Sequence, residues 1–121
     1  MKYNQQTIDN FKDIKRIAKQ NPGRLLDVME CFSQHQFDCK MWLLDCLNQY
    51  PYHFKNKTQD SIDIAILGGW YGLMAKLVSD NFTIKPIRNI YSYDFDFQAV
   101  KIGRQFFPQI EFVEQDITDL N

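Results

Sequence analysis

The residues of this chain that could do chemistry are three glycines and two aspartates. Gly68, Gly69 and Gly72 come directly after the apolar run IAIL and before a helical pattern. A glycine lets the backbone approach a ligand closely because it has no Cβ, and a helix start offers unpaired N–H donors. Asp94 lies 22 positions after Gly72, and Asp94 and Asp116 each follow a further apolar run. This spacing predicts a small-ligand site in which a carboxylate accepts hydrogen bonds from ribose hydroxyls.

Apolar periodicity predicts the elements that must position these groups. Apolar residues recur every three or four positions in the helical segments, whereas the strands are short apolar or alternating runs. The predicted helices are 7–20, 24–34, 38–50, 71–81 and 98–107, and the predicted strands are 62–67, 89–93 and 110–114. Strands and helices alternate in the second half, which predicts an α/β fold with a parallel sheet of about three strands.

The predicted topology brings the candidate residues to one edge of the sheet. In an open α/β sheet, ligands bind outside the carboxyl ends of the strands, where the glycine loop and both aspartates would meet. Taken alone, the glycines could instead make only a tight strand-to-helix turn. We expect a single domain, 1–121, with N-terminal helices in 1–52 and a ligand-binding half in 60–121.

Three segments of the chain resemble motifs of the class I S-adenosylmethionine-dependent methyltransferases. The loop ILGGWYG resembles their acid-x-G-x-G-x-G motif, IYSYDFDFQAVKIGRQFFP their second strand with its acid and helix, and IEFVEQDITDL their third strand. The resemblance covers about residues 60–121. It implies a Rossmann-like parallel sheet and S-adenosylmethionine as the cofactor.

The resemblance also implies a role for individual residues. Gly68 and Gly72 match the first and last loop glycines, which contact the methionine part of the cofactor, and Asp94 matches the ribose-binding acid. Asp116 matches the acid beside the adenine amino group, with Ile117 as an apolar wall for the ring. The predicted cofactor-binding set is Gly68, Gly69, Trp70, Tyr71, Gly72, Asp94, Phe95, Asp116 and Ile117. No catalytic residue and no metal site is assigned.

Two positions of the loop depart from the family pattern. Trp70 replaces the middle glycine and Ile66 replaces the leading acid, so the part of the site that holds the cofactor's ammonium group is altered. An aromatic face attracts a cation, so Trp70 or Tyr71 could cover the sulfonium. Alternatively, Trp70 packs on the N-terminal helices, because a large aromatic ring buries much apolar surface.

The resemblance further implies that only half of the family's sheet is present. Family members continue through a fourth strand, which faces the transferred methyl group, and then through further strands. In a sheet of three strands, the first strand, 62–67, is an apolar edge with unpaired backbone groups that invites pairing. We therefore expect either a homo-oligomer formed through this edge or N-terminal helices that move across it.

Composition and charge exclude several classes of function. Lysine and arginine number 14 against 15 acids, so the net charge is -1, which makes nucleic acid an unlikely partner. No apolar run is long enough to cross a bilayer, and the polar N-terminus lacks a secretory signal. The three cysteines are an odd number and favour reduced thiols. These features predict a cytoplasmic protein without a membrane partner.

Three functions are consistent with the sequence. The first is S-adenosylmethionine binding with methyl transfer to an unknown acceptor. The second is an NAD(P)-binding module, because Gly69-x-x-Gly72-x-x-Ala75 and Asp94 also suit a dinucleotide, although the full G-x-G-x-x-G pattern is missing. The third is a non-catalytic, truncated methyltransferase-like domain with an oligomerising or regulatory role.

Overall fold

The computed structural model describes residues 12–49 and 60–119. Its α-helices and β-strands follow in the order α1 Lys12–Gln20, α2 Leu25–Cys31, α3 Gln34–Gln49, β1 Ile62–Leu67, α4 Leu73–Asn81, β2 Ile87–Asp94, α5 Phe97–Phe106 and β3 Glu111–Glu114. Single 3-10 turns cover Pro22–Arg24 and Ile117–Asp119. The prediction of an α/β fold with N-terminal helices and a three-stranded parallel sheet is confirmed. His53, which from its sequence context could be a general base or simply a surface histidine, lies in the polar segment before β1 and is outside the described residues.

The sheet has the order β1-β2-β3, and both neighbouring pairs are parallel. Ile66 lies opposite Ser92, which in turn lies opposite Phe112, so these side chains share one face of the sheet. α4 packs on β2 and α5 packs on β2 and β3. The carboxyl ends of all three strands therefore meet at one edge, as the topology predicts for the candidate residues.

The core lies between the sheet and the N-terminal helices. α1 buries Ile14, Ile17 and Ala18, which recur at the spacing of one helix face and pack with α2 and α5. α3 buries a second stripe and packs on α4. The stripes from these helices join the buried faces of α4 and α5 in a single apolar cluster. The N-terminal helices are therefore part of the same core as the sheet.

Two glycines allow the loop after β1 and α5 to approach the ring of Phe112. A Cβ added to Gly72 would lie 2.4 Å from Phe112 Cζ, and one added to Gly103 would lie 2.4 Å from Phe112 Cε1. Gly72 also has a φ of 94°, a conformation that L residues rarely adopt. Packing alone therefore explains why Gly72 is a glycine.

The outer edge of β1 is unpaired within the described part of the chain. The row of hydrogen-bonded strands ends at β1, and α3 lies beside this edge without pairing with it. In the described part of the chain, the N-terminal helices do not cross this edge, and the expectation that they or a second copy cover it stays a prediction. Across residues 12–49 and 60–119, no helix combines the length and apolar character needed to span a bilayer.

Candidate functional site

The loop that follows β1 has alternate residues with a left-handed backbone. The φ angles are 73° at Gly68, 52° at Trp70 and 94° at Gly72. Trp70 occupies the position of the family's middle glycine, and a non-glycine residue in this region costs about 1–2 kcal/mol. Such strain persists only where the surrounding structure holds the backbone in place.

Hydrogen bonds within the fold use most of the N–H donors of this loop. The N–H groups of Gly68 and Gly69 both donate to the carbonyl oxygen of Tyr93, each at 2.9 Å. The N–H of Trp70 donates to Asp94 Oδ2 at 2.8 Å, and that of Gly72 donates to the carbonyl oxygen of Gly69 at 2.9 Å. A ligand at this loop would therefore meet mainly hydrogen-bond acceptors.

Asp94 holds the loop in position from the end of β2. Its carboxylate is only 8% exposed, and besides Trp70 it accepts the N–H of Asp96 at Oδ1, at 2.9 Å. Each carboxylate oxygen has two lone pairs, so these bonds leave acceptor capacity. Asp94 thus has a structural role that the sequence did not reveal, and its role as the ribose-binding acid stays a prediction.

The loop glycines differ in what surrounds them. A Cβ on Gly69 would lie 2.0 Å from the hydroxyl oxygen of Ser92, so this glycine is needed for packing over β2. The Ser92 hydroxyl is buried and has no hydrogen-bond partner among the described residues. A Cβ on Gly68, by contrast, would meet no atom within 4 Å, and this glycine is exposed. Gly68 is therefore the loop position where open space remains for a ligand.

The two aromatic residues of the loop differ in exposure. The side chain of Tyr71 is fully buried, whereas Trp70 is half-buried, and their ring centroids are 4.9 Å apart. Trp70 also packs against the core cluster, in agreement with the packing interpretation. Its remaining exposed surface leaves it available to a ligand at the edge.

The end of β3 brings the third part of the predicted site to the same edge. The N–H of Gln115 donates to the carbonyl oxygen of Asp94 at 2.9 Å, which ties this segment to β2. Asp116 is exposed, and its Oδ1 accepts both the hydroxyl and the N–H of Thr118. These bonds from Thr118, the hydroxyl first, lower the pKa of Asp116. Its carboxylate is therefore ionised at neutral pH.

Exposed apolar side chains surround these carboxylates. Phe95 is 76% exposed directly after Asp94, and Ile117 is 39% exposed directly after Asp116. Leu67 and Phe97 are also more than half exposed. Phe97, the first residue of α5, was not singled out by sequence reasoning, although it lies only three positions after Asp94. Carboxylates and apolar surface together suit a ligand with hydroxyl groups and a flat ring.

A groove among the described residues is not centred on these carboxylates. It has a volume of about 930 Å³, runs along β1, and reaches Leu67 and Gly68 but neither Asp94 nor Asp116. We place the candidate site at the carboxyl edge because its polar groups converge there. The groove adjoins the site at Gly68.

Sequence reasoning missed Arg24, which connects the N-terminal helices to this edge. Its guanidinium binds both oxygens of Asp96, the N-cap residue of α5, whose Oδ1 also accepts the N–H groups of Gln98 and Ala99. The hydrogen bonds from Arg24 are the main cause of the lowered pKa of Asp96. The N–H of Asp96 donates to Asp94, so the ion pair between Arg24 and Asp96 helps to hold the Asp94 carboxylate in position.

Tyr71 and Cys31 are buried next to the Arg24 ion pair. Burial raises the pKa of Tyr71, although the nearby guanidinium opposes this effect. The Tyr71 hydroxyl and Arg24 interact electrostatically, but no hydrogen bond of good geometry joins that hydroxyl to a described residue. Burial also raises the pKa of Cys31 to about 12, so this thiol is protonated at neutral pH. These groups are therefore unsuited to act as nucleophiles.

Replacing Arg24 by methionine is expected to lower the free energy of unfolding by about 1–3 kcal/mol at pH 7, because a partly buried, charge-assisted pair is lost. A lowered pKa means that Asp96 stabilises the fold above its unfolded pKa near 3.9 and loses this effect as the pH falls through the folded value. The difference between the two proteins should therefore shrink from pH 7 to pH 3. Urea unfolding at both pH values measures it.

The exposed Lys101 on α5 provides a control for this experiment. Lys101→Met removes a cation of similar length without an ion pair to the site and should leave stability unchanged. Equal effects of Arg24→Met at the two pH values would show that the guanidinium acts by packing and not through Asp96.

No model of a known protein family matches this chain, and no curated protein matches it. The resemblance to methyltransferases is therefore carried by the motifs alone. What the site binds is a matter for proposal.

Proposed function

We propose that this chain binds S-adenosylmethionine at the carboxyl edge of its sheet and presents the methyl group to an acceptor. The observation that carries the proposal is the hydrogen bonding of the glycine loop. Four of the five N–H groups between Gly68 and Gly72 are already bonded within the fold, one of them to Asp94. The edge therefore offers acceptors and negative charge, which suit a cationic ligand with hydroxyl groups.

The same observation separates this proposal from the NAD(P) alternative. A dinucleotide needs free N–H donors at the loop and the helix start to bind its pyrophosphate. In addition, ionised Asp116 and nearly buried Asp94 would repel phosphates. Glu114 and Asp116 are both exposed and make the end of β3 an acidic surface next to Asp94. This surface favours a sulfonium over a pyrophosphate.

Individual residues have separate roles in the proposed complex. Asp94 would accept the ribose hydroxyls, while Asp116 and Ile117 would contact the adenine. The exposed part of Trp70 would cover the sulfonium, since an aromatic face attracts a cation within about 6 Å of its centroid. When bound, the cofactor supplies an activated methyl group, so the protein's main task is to position the two reactants.

Isothermal titration calorimetry with S-adenosylmethionine, S-adenosylhomocysteine and NAD tests the proposal. We expect micromolar binding of the first two and none of NAD. Asp116→Asn should weaken binding about 3- to 10-fold, the loss of one hydrogen bond, without lowering stability because Asp116 is exposed and bonds only locally. Glu111→Gln, which alters an exposed acid at the opposite end of β3, should change nothing.

The other outcomes of this titration are equally informative. Binding of NAD alone would overturn the proposal in favour of the dinucleotide module. If the folded protein binds none of the three, Trp70 and Tyr71 serve packing only, and a non-catalytic role is supported.

Two expectations from the sequence accompany this proposal. A cytoplasmic location agrees with the three free cysteines, since reduced thiols suit a reducing compartment. Homo-oligomerisation through β1, the second expectation, is not required by this proposal, and light scattering on dilute protein tests it separately. Nucleic acid and membranes are not part of the proposal.

A further inference from the structure

The open edge of β1 forms one side of a long groove among the described residues. The other side is α3, which contributes Lys40, Leu43 and Leu47, and α4 contributes Met74 and Val78 at the base. The volume is about 930 Å³, and the groove runs the full length of β1 from Ile62 to Gly68. It is therefore long, mainly apolar on its helical side, and bounded by β1 backbone groups that have no strand partner within residues 12–49 and 60–119.

After its first two residues, the β1 edge carries no proline, lysine or bulge that would prevent strand pairing. Its pairing with β2 is irregular only between Ile62 and Asp63, and the rest of the strand, up to Leu67, is regular. Protected edges carry prolines, lysines or bulges along the strand. The one charge in β1, Asp63, is neutralised by Arg88, whose Nε donates to Asp63 Oδ1 at 3.0 Å. The edge can thus accept a further strand.

The helix beside this edge has apolar side chains without cover. Leu43 is 47% exposed and Leu47 is 40% exposed, and both line the groove. A strand at the usual spacing of about 4.8 Å from β1 would lie beneath them and bury them. We propose that this groove binds an extended strand of another protein, which pairs with β1 and packs its apolar side chains against Leu43 and Leu47.

The direction of α3 defines where this partner strand should carry a charge. Asn48 bonds to the carbonyl oxygen of Asn81 and to the N–H of Thr83, so the C-terminal end of α3 lies at the amino ends of the strands. Lys40, eight residues earlier, therefore lies towards Gly68. Its ammonium group donates to Gln36 Oε1 at 2.7 Å and makes no ion pair with a carboxylate of the described residues. The partner strand should carry an acid at that end.

A single strand fits this groove better than a second copy of the chain. Two copies paired through β1 about a two-fold axis perpendicular to the sheet would place their helices on the same face. α3 already lies beside the edge on that face, so the α3 helices of the two copies would compete for the same space. A lone strand brings no helical layer. One end of the bound strand would lie next to Gly68. If the proposed function holds, that end would also lie next to the bound cofactor.

Binding of a designed peptide to the full chain tests the inference. The probe is a fluorescently labelled, seven-residue peptide of alternating valine and threonine with one terminal glutamate, made in both sequence directions. We expect saturable binding of one direction by fluorescence anisotropy. A peptide with proline at alternate positions cannot pair and should bind at least tenfold more weakly. The measurement needs no cofactor, so its result is independent of the proposed function.

Three variants distinguish the groove from other surfaces. Leu43→Asp should weaken peptide binding at least tenfold, and since the side chain is exposed the fold should persist. Trp42→Asp is the matched control, because Trp42 is the preceding residue, is 68% exposed and does not line the groove. Lys40→Glu should reverse the preference from a glutamate peptide to a lysine peptide.

Three results would overturn the inference. One is the absence of binding for both peptide directions, which would mean that another part of this chain fills the groove. A second is equal binding of the proline peptide. The third is a dimer, seen by light scattering, that Leu43→Asp dissociates and Trp42→Asp does not, which would assign the groove to a second copy.

Discussion

Gly72→Ala is expected to lower the free energy of unfolding by about 2–5 kcal/mol, from the cost of a left-handed backbone and of overpacking. Both causes act at this position, because φ is 94° and the new methyl group would lie 2.4 Å from Phe112 Cζ. A domain of this size has only about 5–15 kcal/mol of stability. The urea midpoint measures the loss.

Two further variants separate the causes at Gly72. Gly103→Ala meets the same ring at 2.4 Å without a positive φ, so it reports the clash after correction for the gain of about 0.5–1 kcal/mol that alanine brings inside a helix. Gly23→Ala has no atom within 4 Å of the new methyl group and serves as the neutral control. The double variant Gly72→Ala/Phe112→Leu should recover the part of the lost stability that the clash with the Phe112 ring causes. An unchanged urea midpoint for Gly72→Ala would contradict the described packing.

Asp94→Ala is expected to lower the free energy of unfolding by about 2–4 kcal/mol and to abolish cofactor binding. The N–H groups of Trp70 and Asp96 would both lose a charged acceptor, at a nearly buried position. Trp70 would also lose the contact that holds its backbone at positive φ. Thermal unfolding and calorimetry, the latter at a temperature where the variant remains folded, measure the two effects.

Asp94→Asn is the conservative comparison, because the amide keeps the shape and one acceptor oxygen. We expect it to recover about half of the lost stability and little of the cofactor binding. If Asp94→Ala kept full stability, the hydrogen bond between Asp94 and the loop would be unimportant in solution. Asp116→Asn alters a residue that contacts no buried group. Comparing its effect on cofactor binding with that of the Asp94 variants therefore separates the loss of a ligand contact from a change in the conformation of the glycine loop.

Local signals in the sequence are sufficient to predict the strand, loop and helix around Gly68 to Gly72. The apolar run of β1 and the glycines that end it are read from neighbouring residues, so their positions are predicted closely. β2 is predicted to begin at Asn89 but begins at Ile87, because pairing with Ile62 extends it. Where a strand ends depends on its pairing with the neighbouring strand, and sequence periodicity carries no information about that pairing.

Contacts between distant parts of the chain were not predictable. Arg24 and Asp96 are 72 positions apart, and nothing in the composition of either segment indicates that they pair. The second role of Asp94 was missed for a similar reason: its bond to the N–H of Trp70 depends on how closely the loop returns over β2. The alignment of Trp70 with a family glycine was the one available signal for its left-handed backbone.

The position of Trp70 gives the protein an internal optical reporter. The chain has two tryptophans, and the other, Trp42, is largely exposed on α3. In a Trp42→Phe background, the tryptophan emission would come from the glycine loop alone. The Tyr71 ring, 4.9 Å away, would act as an energy donor to it. Movement of the loop would therefore change both the emission wavelength of Trp70 and the efficiency of energy transfer from Tyr71. Both changes can be followed in real time without an added label.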